Sequence, residues 1–244
     1  MTGRWREALA LAILLLGAGG AGAQSPFRGD TWALCFSDTA PPDFSIGACT
    51  ALIESGQETR ENLAAALFNR ANAFAARRLF QQAVQDYGQA LRLLPDEPEF
   101  LANRGHALLE LGRVAEAVLD YDLALQRKPR LLAALDGRCY AQAILGRVDA
   151  AARDCDQALS LAPDDPLIHE GRGFVALKAG DWAAAVRHYN AALARDAENA
   201  LALWGRGYAR DRLGRAREAQ RDFAAARKQR PDIDAVMQAR GLKR

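Results

Sequence analysis

The chain has 244 residues, half of them hydrophobic, a quarter charged and 7% aromatic, a composition that excludes wholesale disorder. Lys and Arg outnumber Asp and Glu by only 32 to 30, so bulk charge does not drive nucleic-acid binding, and no nucleic-acid partner is expected. Three histidines and four cysteines, with no CxxC or HExxH spacing, argue against a zinc enzyme; no metal or other cofactor is expected.

Residues 1–23 read as a signal peptide. Arg4 and Arg6 give a positive start, Ala8 to Leu16 form an apolar run, and Ala21-Gly22-Ala23 offers the small residues a signal peptidase needs. The run is nine residues, against about 20 for a bilayer-spanning helix. The expected destination is the bacterial periplasm, with the membrane touched peripherally if at all. All four cysteines survive cleavage, and an even count in an oxidising compartment reads as two disulfides.

In residues 24–63, Thr31 to Phe36 suit a short helix, Pro41-Pro42 a turn, and Phe44 to Glu54 a longer helix. A Cys35–Cys49 bond would staple the two helices across that turn. Closing a loop of about 15 residues stabilises by roughly 3 kcal/mol in the chain-entropy model.

From about Ala64 onward the chain repeats every 34 residues. Arginine recurs at Arg70, Arg104, Arg138, Arg172, Arg206 and Arg240. Alanine recurs at Ala83, Ala117, Ala151, Ala185 and Ala219, and again at Ala90, Ala124, Ala158, Ala192 and Ala226. Between them stand Tyr87, Tyr121, Cys155, Tyr189 and Phe223. Glycine marks the middle at Gly112, Gly146, Gly180 and Gly214, and proline closes the copies at Pro95, Pro129, Pro163 and Pro231. Each copy therefore reads as two helices, the first ended by the mid-copy glycine and the second by the proline. A single helical hairpin cannot bury its own apolar face, so copies must stack.

This pattern resembles the tetratricopeptide repeat, whose unit carries small residues, an aromatic and a closing proline in this order. The resemblance covers 64–97, 98–131, 132–165, 166–199 and 200–233. It implies an all-α, right-handed α-solenoid whose inner helices line a groove for a peptide or protein segment. Residues 24–63 then read as a degenerate half-repeat, and 234–244 as a capping helix that keeps Arg240 in register.

Aspartates share the arginine period at Asp86, Asp120, Asp154 and Asp222, with His188 in the fourth copy. Each Arg stands sixteen residues before the Asp of its own copy and eighteen after that of the preceding one. Either separation faces them across antiparallel helices, so a structural ladder of ion pairs with Arg70, Arg104, Arg138, Arg172 and Arg206 is expected. Cys139 and Cys155 occupy slots in the two helices of one copy. They fit a helix–helix disulfide, or two buried thiols.

The resemblance places the binding groove beside the Arg slot. One residue before each Arg come Asn69, Asn103, Gly137, Gly171 and Gly205; two after come Asn72, His106, Tyr140, Phe174 and Tyr208. Phe68 and Trp204 would extend this surface. Glycines let a bound backbone approach and rings supply flat contact. Some members grip a C-terminal carboxylate with Lys and Arg. Asn72 and Asn103 resemble parts of that clamp, but Phe68, Ala133 and Gly137 stand where its basic parts belong.

Residues 206–244 hold twelve Lys and Arg against five Asp and Glu, a second candidate surface. The three histidines fall in different copies, and Glu170, Asp136 and His106 form no evident catalytic set, so no enzyme is expected. The expected function is a non-catalytic scaffold of the cell envelope that binds a protein or peptide in its groove. The rivals are an envelope assembly factor acting through the basic end and, more remotely, a cell-wall enzyme.

Overall fold

A computed structural model describes residues 26–243, so the signal peptide expected over 1–23 lies outside the described residues. Those residues form helices and connecting turns with no strand. The chain divides into two compact units, one reaching to Arg127 and one starting at Lys128.

Unit 1 holds α1 (Pro26–Cys35), α2 (Pro42–Ser55), α3 (Arg60–Ala76), α4 (Phe80–Leu93), α5 (Pro98–Glu110) and α6 (Val114–Arg127). Unit 2 holds α7 (Leu132–Ile144), α8 (Val148–Leu161), α9 (Pro166–Ala179), α10 (Trp182–Arg195), α11 (Ala200–Arg212), α12 (Ala216–Gln229) and α13 (Ile233–Ala239). Within each unit consecutive helices pack pairwise and successive pairs stack, as an α-solenoid requires. Among the described residues no helix is long and apolar enough to cross a membrane.

Prolines open α2, α5 and α9, where the missing N–H costs nothing. Pro42 therefore begins a helix and does not merely complete a turn. Residues 26–55 form a full hairpin, longer at both helices than the sequence pattern implies. The mid-copy glycines take φ from 75° to 77° at Gly112, Gly146, Gly180 and Gly214. Copy one has Arg78 in that slot, held at φ 60°.

The periodic alanines and the residue between them form the floor of each hairpin. Ala83, Tyr87 and Ala90 are fully buried, as are their counterparts in later copies. What admits the ring is the residue just after each ladder arginine. A Cβ at Gly105 would lie 2.9 Å from Tyr121, one at Gly173 2.9 Å from Tyr189, and one at Gly207 3.2 Å from Phe223. In copy three the same two slots hold Cys139 and Cys155, which are joined as a disulfide with Cα atoms 5.4 Å apart. The second disulfide joins Cys35 to Cys49 across the α1–α2 turn, Cα atoms 4.8 Å apart.

The ion-pair ladder forms within copies, at the sixteen-residue separation. Arg70, Arg104, Arg138 and Arg206 grip Asp86, Asp120, Asp154 and Asp222 respectively, each with two nitrogens at 2.6–2.9 Å. These aspartates are buried, so the fork geometry replaces the water they lose. Copy four breaks the rule. With His188 in the acidic slot, Arg172 turns back to the exposed Asp156 at 2.7 Å. The sixth arginine also leaves the ladder: α13 stops at Ala239, Gly241 turns the chain at φ 82°, and Arg240 points elsewhere.

Candidate functional site: the first-helix faces

In unit 1, α3 and α5 bring the expected groove residues together. Phe68 stacks on Phe100 at 4.4 Å between centroids. Asn72 lies beneath the surface, where its Oδ1 accepts from the Tyr87 hydroxyl at 2.5 Å and from Asn103 Nδ2 at 3.0 Å. Burial pushes the Tyr87 hydroxyl well above its ordinary pKa, so it stays a donor, with Asn103 pulling more weakly the other way. The carboxamide's other end, Asn72 Nδ2, is buried and has no hydrogen-bond partner among the described residues. Leaving such a donor unsatisfied costs about 1–3 kcal/mol. Asn69, Asn103 and His106 are half-buried on the same face.

Unit 2 treats the corresponding positions differently. Tyr140, Phe174, Trp204 and Tyr208 are all buried, Phe174 and Trp204 to 1% exposure. Tyr140 stacks on Phe174 at 4.8 Å and Trp204 on Tyr208 at 5.3 Å, while Trp182 meets Tyr208 edge-on. The rings expected as an open track are thus largely spent on one another. The glycines beside the ladder also serve packing: a Cβ at Gly205 would lie 2.3 Å from Tyr189 Cζ. Gly171 is closer to open, its added Cβ meeting Asp136 Oδ1 at 3.3 Å.

Several contributors escaped the sequence reading. Asp234 accepts from Trp204 Nε1 at 2.8 Å and pairs with Arg227 at 2.6 Å. Glu170, which the sequence reading does name, is buried and accepts from Asn199 Nδ2 at 2.8 Å. Arg212 donates to the Tyr208 hydroxyl at 2.9 Å and lies over both Tyr208 and Trp182. Arg240 hydrogen-bonds the Tyr140 hydroxyl, one hundred residues back along the chain. The signal for Asp234 and Arg240 is faint, since neither continues a periodic role. Part of the basic end is engaged locally: Arg206 and Arg210 share Asp222, and Arg230 pairs with Asp232 at 2.9 Å, while Arg215, Arg217, Arg221, Lys228 and Lys243 are exposed.

A family model described as a tetratricopeptide repeat matches residues 63–131 and 170–232. No curated protein matches the chain. Among solved structures, a tetratricopeptide repeat protein from Parabacteroides merdae is similar at TM-score 0.66 and 19% identity, covering 87% of each chain. A thermophilic repeat protein from Thermus thermophilus is similar at TM-score 0.62 and 22% identity, over 73% of this chain and 97% of that one. MamA from Desulfovibrio magneticus follows at 0.57 and 18%, over 72% and 98%. At these identities the likeness concerns the fold.

Proposed function

This chain belongs to the tetratricopeptide repeat family, a scaffold for protein interaction, and from that premise we propose that it binds a peptide segment on the first-helix face of unit 1. The observation that carries the reading is the buried, unpartnered Asn72 Nδ2 beneath Asn103. A backbone carbonyl approaching this face gives the pair an acceptor, once Asn103 swings aside. Phe68 and Phe100 form a stacked apolar step beside it, and Asn69 offers a further amide. Docking of an extended segment would order it at an entropic cost, so affinity in the micromolar range, about 8 kcal/mol, is expected.

The site of action in this proposal is the cell envelope. Two closed disulfides suit an oxidising compartment, and the apolar leader with its small-residue ending suits export. The reading is non-catalytic, because the tetratricopeptide repeat is typically a scaffold. The alternative is an assembly factor acting through the basic end, where Arg215, Arg217, Arg221, Lys228 and Lys243 are exposed.

The test is selection from a random-peptide phage library on the oxidised chain lacking residues 1–23. Enriched peptides should share a motif and bind by calorimetry with micromolar Kd. Replacing Asn72 and Asn103 together with Ala should weaken them at least tenfold while circular dichroism stays unchanged. Unchanged affinity in that variant would reject the unit 1 face.

A further inference from the structure

Within unit 2 the end of the chain behaves as a ligand of its own repeat. Ile233 and Met237 anchor α13, fully buried against α11 and α12. Beyond Ala239 the chain leaves helical geometry. Arg240 reaches α7, where its Nη1 donates to the Tyr140 hydroxyl and its guanidinium lies 5.0 Å from the ring centre. Leu242 is buried two residues on.

The surface that receives Arg240 has the chemistry of a cation site. Tyr140 presents a ring stacked on Phe174, and such a face attracts a guanidinium. Asp136 lies one helical turn before Tyr140, and both Asp136 and Glu170 are buried carboxylates of this region. The Tyr189 hydroxyl, raised chiefly by burial, is pushed further up by Tyr140 and Glu170 and pulled down by Arg240, so carboxylate and guanidinium share its neighbourhood.

The covering segment is short. The helix before it has seven residues, and a cavity of about 380 Å³ opens beside it, lined by Trp204, Asp234, Gln238, Leu242 and Lys243. The segment owes much of its occupancy to tethering, which supplies an effective concentration of about millimolar for a short linker.

We propose that the Tyr140–Phe174 face of unit 2 is a second docking surface, for a partner segment that presents an arginine with an aliphatic residue two positions on. Arg240-Gly241-Leu242 is its built-in occupant, which a stronger segment displaces. The surface is separate from the unit 1 face and does not depend on that reading. A tethered occupant present nine-tenths of the time lowers apparent affinity about tenfold.

The experiment uses the oxidised chain without residues 1–23 and a fluorescein-labelled peptide copying residues 238–244, read by fluorescence anisotropy. The Arg240→Ala chain should bind the peptide about tenfold more tightly than the intact chain. Arg240→Lys should fall between them, and a peptide with its arginine replaced by alanine should not bind. A chain truncated after Ala239 should match Arg240→Ala; if truncation unfolds it, the full-length variant carries the test. Equal affinity for intact and Arg240→Ala chains, or no binding to Arg240→Ala, overturns the proposal. So does a concentration-dependent dimer of the intact chain that Arg240→Ala abolishes, which would give the surface to a second copy.

Discussion

The two units are built from one repeat and diverge on the first-helix face, among other positions at the one two residues after the ladder arginine. Unit 1 places Asn72 and His106 there, and unit 2 places Tyr140, Phe174 and Tyr208. In unit 1 the amides leave a donor in want of an acceptor. In unit 2 the rings satisfy one another, and the chain's own end lies over Tyr140. A repeat that fixes the backbone therefore leaves recognition chemistry free to change from copy to copy.

Four measurements press on this comparison, beginning with what both units share. Asp120→Ala in unit 1 and Asp222→Ala in unit 2 strip the partner from a largely buried arginine. Each should cost about 3 kcal/mol in urea unfolding. Asp156→Ala, which breaks the exposed rung made by Arg172, should cost under about 1 kcal/mol. A large loss there would mean that copy four is not the weak rung the structure makes it.

Next comes the disulfide that only unit 2 carries inside a repeat. Replacing Cys139 and Cys155 with Ala should cost about 3 kcal/mol. Cys139→Gly with Cys155→Tyr rebuilds the glycine–ring pair of the neighbouring copies and should recover part of it. If the rebuilt pair is no better than the alanines, the two slots are not equivalent across copies.

Gly205→Ala is the third, with an expected loss of about 2 kcal/mol from the collision with Tyr189. A neutral result would return Gly205 to the role of clearing space for a ligand.

The smallest effect is a pH dependence confined to unit 2. Burial, then the charges of Arg172, His169 and Arg187, push His188 down to about 4 from its ordinary 6.5, against a weaker upward pull from Asp156. Its Nδ1 lies 3.2 Å from that of His169, so the pair holds at most one proton between those atoms. The unfolded chain binds a proton at His188 more readily than the folded one. Stability from this group is complete above about pH 6.5 and falls as pH drops toward 4. His188→Asp, which restores a carboxylate to the ladder slot, should flatten that decline and draw Arg172 back into register.

Most of the fold was legible because its determinants are periodic. Arginines, aspartates, alanines and closing prolines at one spacing specify hairpins and their stacking, while the spacing alone leaves open whether each arginine pairs within its copy or with the preceding one. Both cysteine pairs were legible too, since each spans one hairpin. The N-terminal hairpin was underestimated because Pro42 looks like a turn residue yet also serves as the first residue of a helix. The candidate site was legible in unit 1, where Asn72 and Asn103 do meet. It was not in unit 2: spacing assigns Phe174 and Trp204 to a face, but not how deep that face sits. The glycines after Arg104, Arg172 and Arg206 were the missed clue, because they pair with rings sixteen residues on. Arg240 was misread because it keeps the period while losing the helix that gives the period meaning.

Copy three also bears on how this protein must be produced. Where its neighbours place a glycine against a phenol or phenyl ring, it places two sulfurs. In a reducing host cytoplasm those sulfurs would remain thiols, and two fully buried sulfurs now at bonding distance would have to part to van der Waals separation at the start of unit 2. A preparation made there would be soft at that hairpin and at the α1–α2 hairpin, which loses its Cys35–Cys49 staple in the same conditions. Proteolysis at the two turns these bonds span, between Cys35 and Pro42 and between Ile144 and Val148, would be the sign that the wrong compartment had been chosen.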